Sequence, residues 1–263
     1  MRGWYRESYA ETALETGPHR RESGPMTTTI ALVTGANKGL GRETVRRLAS
    51  QGWQVFLGAR DIARGERAAA EFTAAGFDVR FVPLDVTSDD SVAAAAATVR
   101  ATAGRLDVLI NNAAIGGPRT APSETGPDDL REVFEANVFG PIRVTNAFVP
   151  LLQLSAHPRI VMVSSSVGTI AMITDPKWAG LLPPALGYPS TKAALNMITV
   201  MYASELAEMK VNAIDPGYTA TDLNGHSGFQ TVTEGTDAVV AVATADRDGP
   251  TGGFFDRTGA ASW

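Results

Sequence analysis

Thr34-Gly35-Ala36-Asn37-Lys38-Gly39-Leu40-Gly41 decides the reading of this chain. It follows the apolar run Ile30 to Thr34 and precedes a stretch of helical period from about residue 41 to 51. A strand, a glycine-rich turn and a helix in that order present helix N-terminal N–H groups where a dinucleotide pyrophosphate can rest. The glycines divide the work: one permits the tight turn, one lets backbone approach phosphate, and one lets the helix pack on the strand. A glycine-rich connection without a ligand is the competing reading, and the placement between strand and helix favours the cofactor.

Working outward, short apolar and β-branched runs alternate with helical stretches, the pattern of a parallel sheet with helical crossovers. The strand candidates are Ile30 to Thr34, Gln54 to Ala59, Asp78 to Pro83, Val108 to Asn111, Arg159 to Ser164, Val211 to Asp215 and Gly253 to Phe255. Helices are expected near 41 to 51, 62 to 75, 88 to 102, 128 to 153, 188 to 209 and 233 to 244. This predicts a single α/β domain, a doubly wound sheet of about seven parallel strands with helices on both faces. Residues 1–25 are rich in charge, show no period and end in Ser23-Gly24-Pro25, so they read as a disordered extension. Residues 26–263 form the cofactor-binding catalytic domain, with Met26 as the functional start.

Composition narrows the function. A chain of 263 residues with 44% hydrophobic content can bury one substantial core. Its net charge of -5 and pI near 5.3 give no electrostatic reason to bind nucleic acid. No apolar run approaches the roughly 20 residues needed to span a bilayer, and the N-terminus lacks a secretory pattern, so the chain reads as cytoplasmic and without a membrane partner. There is no cysteine. His19, His157 and His226 lie far apart without acidic neighbours at ligand spacing, and no metal is expected.

Tyr188-Pro189-Ser190-Thr191-Lys192 sets a phenol and an ammonium four residues apart, on one helix face. Pro189 requires that the helix begin close by. A phenol ionises near pH 10, and an adjacent cation lowers that by roughly 1 to 3 units, towards the range useful for proton transfer. The pair alone is a common coincidence. Upstream, Val161-Met162-Val163-Ser164-Ser165-Ser166-Val167-Gly168 brings hydroxyls to a strand's C-terminal end, where open α/β sheets bind ligands.

These motifs together resemble the short-chain dehydrogenase/reductase superfamily, of Rossmann type and carbonyl-reductase-like, from about residue 29 to the C-terminus. The glycine spacing G-x-x-x-G-x-G is that family's, as is the order of the later motifs. The resemblance implies that Tyr188 is the general acid/base and that Lys192 supports it and holds the nicotinamide ribose. It implies that Ser165, with Ser164 as the alternative, bonds the substrate carbonyl, and that Asn137 in Asn137-Val138-Phe139-Gly140 holds a water relay. For the cofactor it implies Gly35, Asn37, Lys38, Gly39, Leu40 and Gly41 in the loop, Asp85 and Val86 at the adenine, and Asn112 in Asn111-Asn112-Ala113, where Ala114 stands in place of the family's final glycine. It also implies Pro216, Gly217, Thr219 and Thr221 at the carboxamide and pyrophosphate.

Lys38 and Arg60 match the positions that hold the 2′-phosphate in carbonyl-reductase-like members, so NADP(H) is the expected cofactor. Asp61, next in the chain, reads as a ribose-binding acid, a loop charge or a helix N-cap. The activity implied is hydride transfer between NADPH and a small ketone or aldehyde. Trp178, Leu181, Leu182, Pro183 and Pro184 lie in a long stretch between Ser165 and Tyr188 that resembles an insertion of carbonyl-reductase relatives; they either line a hydrophobic pocket or pack over the sheet. Relatives form dimers or tetramers through the tyrosine helix, or are monomers. Two other functions compete: an NADP-binding regulator without turnover, and an epimerase or dehydratase, which needs a larger C-terminal part than the roughly 40 residues after Thr221.

Overall fold

The computed structural model describes residues 28–178 and 185–263. The expectations for residues 1–25, for a start at Met26 and for Leu181, Leu182, Pro183 and Pro184 lie outside the described residues. Apolar runs form β1 (Ile30–Val33), β2 (Gln54–Ala59), β3 (Val79–Pro83), β4 (Val108–Asn111), β5 (Arg159–Val163), β6 (Lys210–Ile214) and β7 (Phe254–Asp256), each within one residue of its expected bounds. They lie parallel in the order β3-β2-β1-β4-β5-β6-β7. An eighth strand, β8 (Gly259–Ala261), pairs antiparallel with β7 and ends the sheet. Its Gly-Ala-Ala sequence has none of the branched or aromatic residues that mark strands, which is why the sequence reading passed over it.

The helices are α1 (Gly39–Ala49), α2 (Ile62–Ala74), α3 (Asp89–Ala103), α4 (Pro127–Phe134), α5 (Gly140–Leu152), α6 (Ile170–Thr174), α7 (Gly187–Glu205), α8 (Val232–Gly235) and α9 (Asp237–Ala243). Successive strand residues face opposite sides. Ala31, Val33, Ile110 and Val161 therefore pack with Leu48 of α1, Phe72 of α2 and Val239 of α9. Leu32, Leu109, Ile160 and Met162 pack on the other face with Val99 of α3, Phe148 of α5 and Leu195 of α7. Truncating a fully buried residue such as Phe148 would cost about 3–5 kcal/mol.

Two local features shape the ligand side. The chain runs from β1 outward to β3 and then returns to place β4 on the other side of β1, so a crevice opens at the C-terminal ends of β1 and β4. The helix expected from 128 to 153 is not continuous: a π turn over Glu135–Phe139 separates α4 from α5. Gly140 N–H reaches back to the carbonyl of Glu135, and Pro141 has no N–H to give to the carbonyl of Asn137. Gly140 also lies so close to Val86 that a Cβ would stand 2.9 Å from its Cγ2.

Candidate active site

The glycine loop is held from beneath by the β4 turn. Asn112 Nδ2 donates to the carbonyls of Thr34 and Gly35 at 2.8 and 3.2 Å, while Thr34 Oγ1 accepts from the N–H groups of Asn112 and Ala113 at 3.0 and 2.9 Å. Gly35 and Gly39 have φ of 61° and 53°, in the left-handed region open to glycine. Gly41 answers a different demand, because a Cβ there would stand 2.5 Å from Asn112 Nδ2 and 2.6 Å from the Gly35 carbonyl. Ala36 is fully buried, and Leu40 lies against Gly235 of α8. Ala114 takes no left-handed φ, so alanine fits the turn without strain. Lys38 is the N-cap residue of α1, and no side chain caps the first-turn N–H groups of that helix.

Beside the loop, an open cavity of about 410 Å³ is lined by Asn37, Lys38, Arg42, Arg64 and Arg67, with Glu71 as its acid. Four cations line it, of which Lys38, Arg42 and Arg64 are ion-paired with Asp222, Glu71 and Asp61, so a phosphate dianion there would compete with these carboxylates for them. Arg60 stands exposed after β2, within electrostatic reach of Asp85 after β3. Burial raises the Asp85 carboxyl, but the N–H and hydroxyl of Thr87 on its Oδ1, at 3.0 and 2.7 Å, more than offset this and hold it below the ordinary value. Asp61 is the N-cap of α2: its Oδ1 accepts from Arg64 N–H at 3.0 Å and its Oδ2 lies 3.2 Å from Arg64 Nε. Sequence reading named Lys38 and Arg60 and missed Arg42, Arg64 and Arg67. The signal was present, since Arg64 and Arg67 are three apart and share a helix face.

Asn137, Ser165, Tyr188 and Lys192 are gathered where β5, the π turn and α7 meet. Asn137, 1% exposed, donates from Nδ2 to the Ile115 carbonyl at 2.9 Å and to Thr191 Oγ1 at 3.2 Å, and its Oδ1 accepts from Ile115 N–H at 2.9 Å. Gly168 presses its turn onto α7, leaving 2.6 Å between a Cβ there and the carbonyl carbon of Lys192. Ser164 is taken up by this packing: its hydroxyl meets Asn196 Oδ1 at 2.5 Å and is buried. Ser165 is only partly buried, and its hydroxyl accepts from Val167 N–H at 3.4 Å. Of the two serines, Ser165 is the one with a hydroxyl free to donate.

Tyr188 is the second residue of α7, with Pro189 third, where a missing N–H costs nothing. Lys192, 2% exposed, donates from Nζ to the Val163 carbonyl at 2.8 Å and lies 5.4 Å from the centre of the Tyr188 ring. The ammonium is thus over the ring face, directed at the end of β5. Burial, with the Asp215 charge added, pushes Tyr188 above the ordinary tyrosine value, in the direction opposite to the lowering expected from Lys192. Burial brings Lys192 down to about 8, against the pull of Asp215.

After β6, Gly217 turns with φ 68°, and a Cβ there would stand 2.1 Å from Gln230 Oε1. Thr219, 4% exposed, spends its hydroxyl on the Pro216 carbonyl at 2.9 Å, so it closes its own turn. Thr221 faces the glycine loop, its Cγ2 3.6 Å from where a Cβ at Gly39 would lie. Next to it, Asp222 bridges Lys38 Nζ at 2.7 Å and His226 Nε2 at 2.8 Å. His226 is the non-glycine residue with positive φ among the described residues, at 60°. Trp178 is half-buried, with Lys177 Nζ 5.6 Å from its ring centre.

No cluster of three or more acidic or histidine side chains that could hold a metal occurs among the described residues, and none of their helices is long and apolar enough to cross a membrane. Residues 29–230 match the profile of the short chain dehydrogenase family. The chain belongs to that family. This short-chain dehydrogenase is 32% identical to a (+)-neomenthol dehydrogenase of Capsicum annuum, over 88% of this chain and 96% of the relative. It is 33% identical to a (-)-isopiperitenone reductase of Mentha piperita, over 86% and 96%. Among solved structures it resembles the NADPH-bound carbonyl reductase from chicken fatty liver, with TM-score 0.79 and 29% identity over 90% of this chain and 100% of that one.

Proposed function

We propose that this short-chain dehydrogenase reduces a small ketone or aldehyde with NADPH, Tyr188 giving the proton. The observation that carries the reading is the meeting of a partly buried phenol, a buried ammonium, the Asn137 amide and a free serine hydroxyl at one strand end of a sheet whose neighbouring crevice holds the glycine loop. The chain's relatives include a (+)-neomenthol dehydrogenase and a (-)-isopiperitenone reductase, which supports a small carbonyl or alcohol substrate. The cationic cavity by Lys38 fits the additional phosphate of NADPH.

In this reading the loop of Gly35, Asn37, Gly39, Leu40 and Gly41 carries the pyrophosphate with Thr221. Lys38 and Arg60, joined by Arg64, hold the 2′-phosphate. Asp85 and Val86 edge the adenine side, Asn112 holds the glycine loop from beneath, and Pro216 and Gly217 face the nicotinamide; Thr219 serves by holding that turn. NADPH supplies the hydride. Ser165 donates to the substrate oxygen, which positions the carbonyl and stabilises charge on it. Tyr188, kept protonated by burial, passes its phenolic proton to that oxygen. Lys192 fixes the tyrosine and the ribose, and Asn137 anchors the helix region behind it. We place the enzyme in the cytoplasm, acting on small molecules and without nucleic acid or membrane.

The test is NADPH oxidation by the purified chain against a ketone and aldehyde panel, with Tyr188→Phe beside it. Turnover that falls at least about 1,000-fold in Tyr188→Phe, with NADPH binding kept, is the expected result. Tight NADPH binding without turnover of any carbonyl would make the chain a cofactor-binding regulator instead.

A further inference from the structure

Asn137 and Ile115 are joined in both directions, and the remaining N–H of the Asn137 amide goes to Thr191 Oγ1 at 3.2 Å. Thr191 in turn donates its hydroxyl proton to the Tyr188 carbonyl at 2.7 Å. A hydroxyl has one proton to give and lone pairs to accept with, so the bonds run one way, from Asn137 to Thr191 to Tyr188. Thr191 and Asn137 are both buried, and neither has solvent with which to replace these partners. Three residues before Ile115, Asn112 holds the carbonyls of Thr34 and Gly35. Side-chain hydrogen bonds thus lead from the glycine loop, through the turn after β4, to the residue that carries the phenol.

The start of α7 is also pressed by α4: a Cβ at Gly187 would lie 3.4 Å from Leu130 Cδ2 and 3.5 Å from Val133 Cγ2. Apolar contacts of this kind are non-directional and set how closely two helices approach, whereas hydrogen bonds, being directional, set rotation and register. We propose that Thr191 is a positioning residue: its buried hydroxyl ties the first turn of α7 to Asn137, and so sets where the Tyr188 phenol stands relative to the turn that borders the cofactor crevice. It acts through Tyr188 and Asn137 rather than on the substrate. The role requires the hydroxyl of Thr191 and not its methyl group. For its effect on turnover the inference rests on the reductase reading; for the hydrogen-bonded link itself it does not.

Two substitutions separate hydroxyl from methyl: Thr191→Val keeps the shape and loses the hydroxyl, and Thr191→Ser does the reverse. In carbonyl reduction by the full chain, Thr191→Val is expected to lose about 10- to 100-fold in kcat while KM for carbonyl and NADPH stays within about threefold. Thr191→Ser should restore kcat to within about threefold of the wild type. An unchanged kcat in Thr191→Val, or equal losses in the two variants, would overturn the proposal. Should Thr191→Val not fold, a loss of about tenfold or more in Thr191→Ser overturns it equally. A second readout needs no substrate. Hydrogen exchange at the Ile115 amide should be about tenfold faster in Thr191→Val, with no change at the Ala213 amide, which donates to the Gly253 carbonyl at 3.0 Å. Equal acceleration at both amides would make Thr191 a support of the whole fold and overturn the proposal. Acceleration confined to Ile115 in a chain that turns over no carbonyl would keep the link and set aside the reductase reading.

Discussion

Asp222 Oδ2 lies 2.7 Å from Lys38 Nζ, so a carboxylate from beyond β6 grips the lysine of the glycine loop. If Lys38 serves the 2′-phosphate of NADPH, Asp222 competes for it. Exposed ion pairs of this kind are worth about 1 kcal/mol or less. Asp222→Asn is therefore expected to tighten NADPH binding about 2- to 5-fold with little effect on NADH, and Lys38→Ala to weaken NADPH about 10-fold, as measured by fluorescence titration of the reduced cofactor. No gain in Asp222→Asn would mean that the two partners of Lys38 do not compete.

Ser164 and Ser165 should separate cleanly. Ser165→Ala is expected to lower kcat about 100-fold or more with an unchanged melting temperature, since it removes a donor to the substrate oxygen. Ser164→Ala strips a buried hydrogen bond to Asn196 and should cost about 1–2 kcal/mol of stability while leaving kcat within a few-fold. Steady-state kinetics and thermal unfolding on the two variants check this, and the reverse pattern would exchange their roles.

The glycine loop offers a second pair. Gly41→Ala forces a methyl into Asn112 Nδ2 and the Gly35 carbonyl, both under 3 Å away, and should cost about 1–3 kcal/mol and at least tenfold in NADPH affinity. Gly39→Ala meets only the Thr221 methyl group at 3.6 Å, and suffers from its φ of 53° alone, about 1 kcal/mol. Equal losses in the two variants would remove the Asn112 clamp from the explanation.

Lys192 at about 8 sets a pH dependence. Carbonyl reduction should decline as pH rises through 8, where the ammonium is lost. Stability runs the other way: between about 8 and the ordinary lysine value near 10.4 the unfolded chain binds the additional proton, so unfolding becomes costlier as pH rises across that window. Lys192→Met should remove this rise, seen in melting temperatures measured from pH 7 to pH 10.

Much of this was legible in the sequence because each motif carries its own chemistry. Seven strands announced themselves through apolar runs, and Pro189 fixed the start of the tyrosine helix. The electrostatics were not legible. The spacing of Tyr188 and Lys192 places them one turn apart but does not say that Lys192 turns to the Val163 carbonyl, nor that the charge of Asp215, from beyond another strand, acts on both. Likewise Thr219 and Thr221 look alike in sequence, and only the turn reveals that one hydroxyl is spent on Pro216. The π turn escaped because the apolar period is nearly the same on both of its sides.

The turn over Glu135–Phe139 holds one residue more than an α-helical turn needs and takes it up in a local widening between α4 and α5. Removing a single residue there would restore a regular helix and leave Val144, Phe148 and Leu151 in phase with the sheet. What would go is the widened turn that carries the Asn137 amide to Ile115 and Thr191. A deletion at this point would thus spare the core and strike the catalytic site alone.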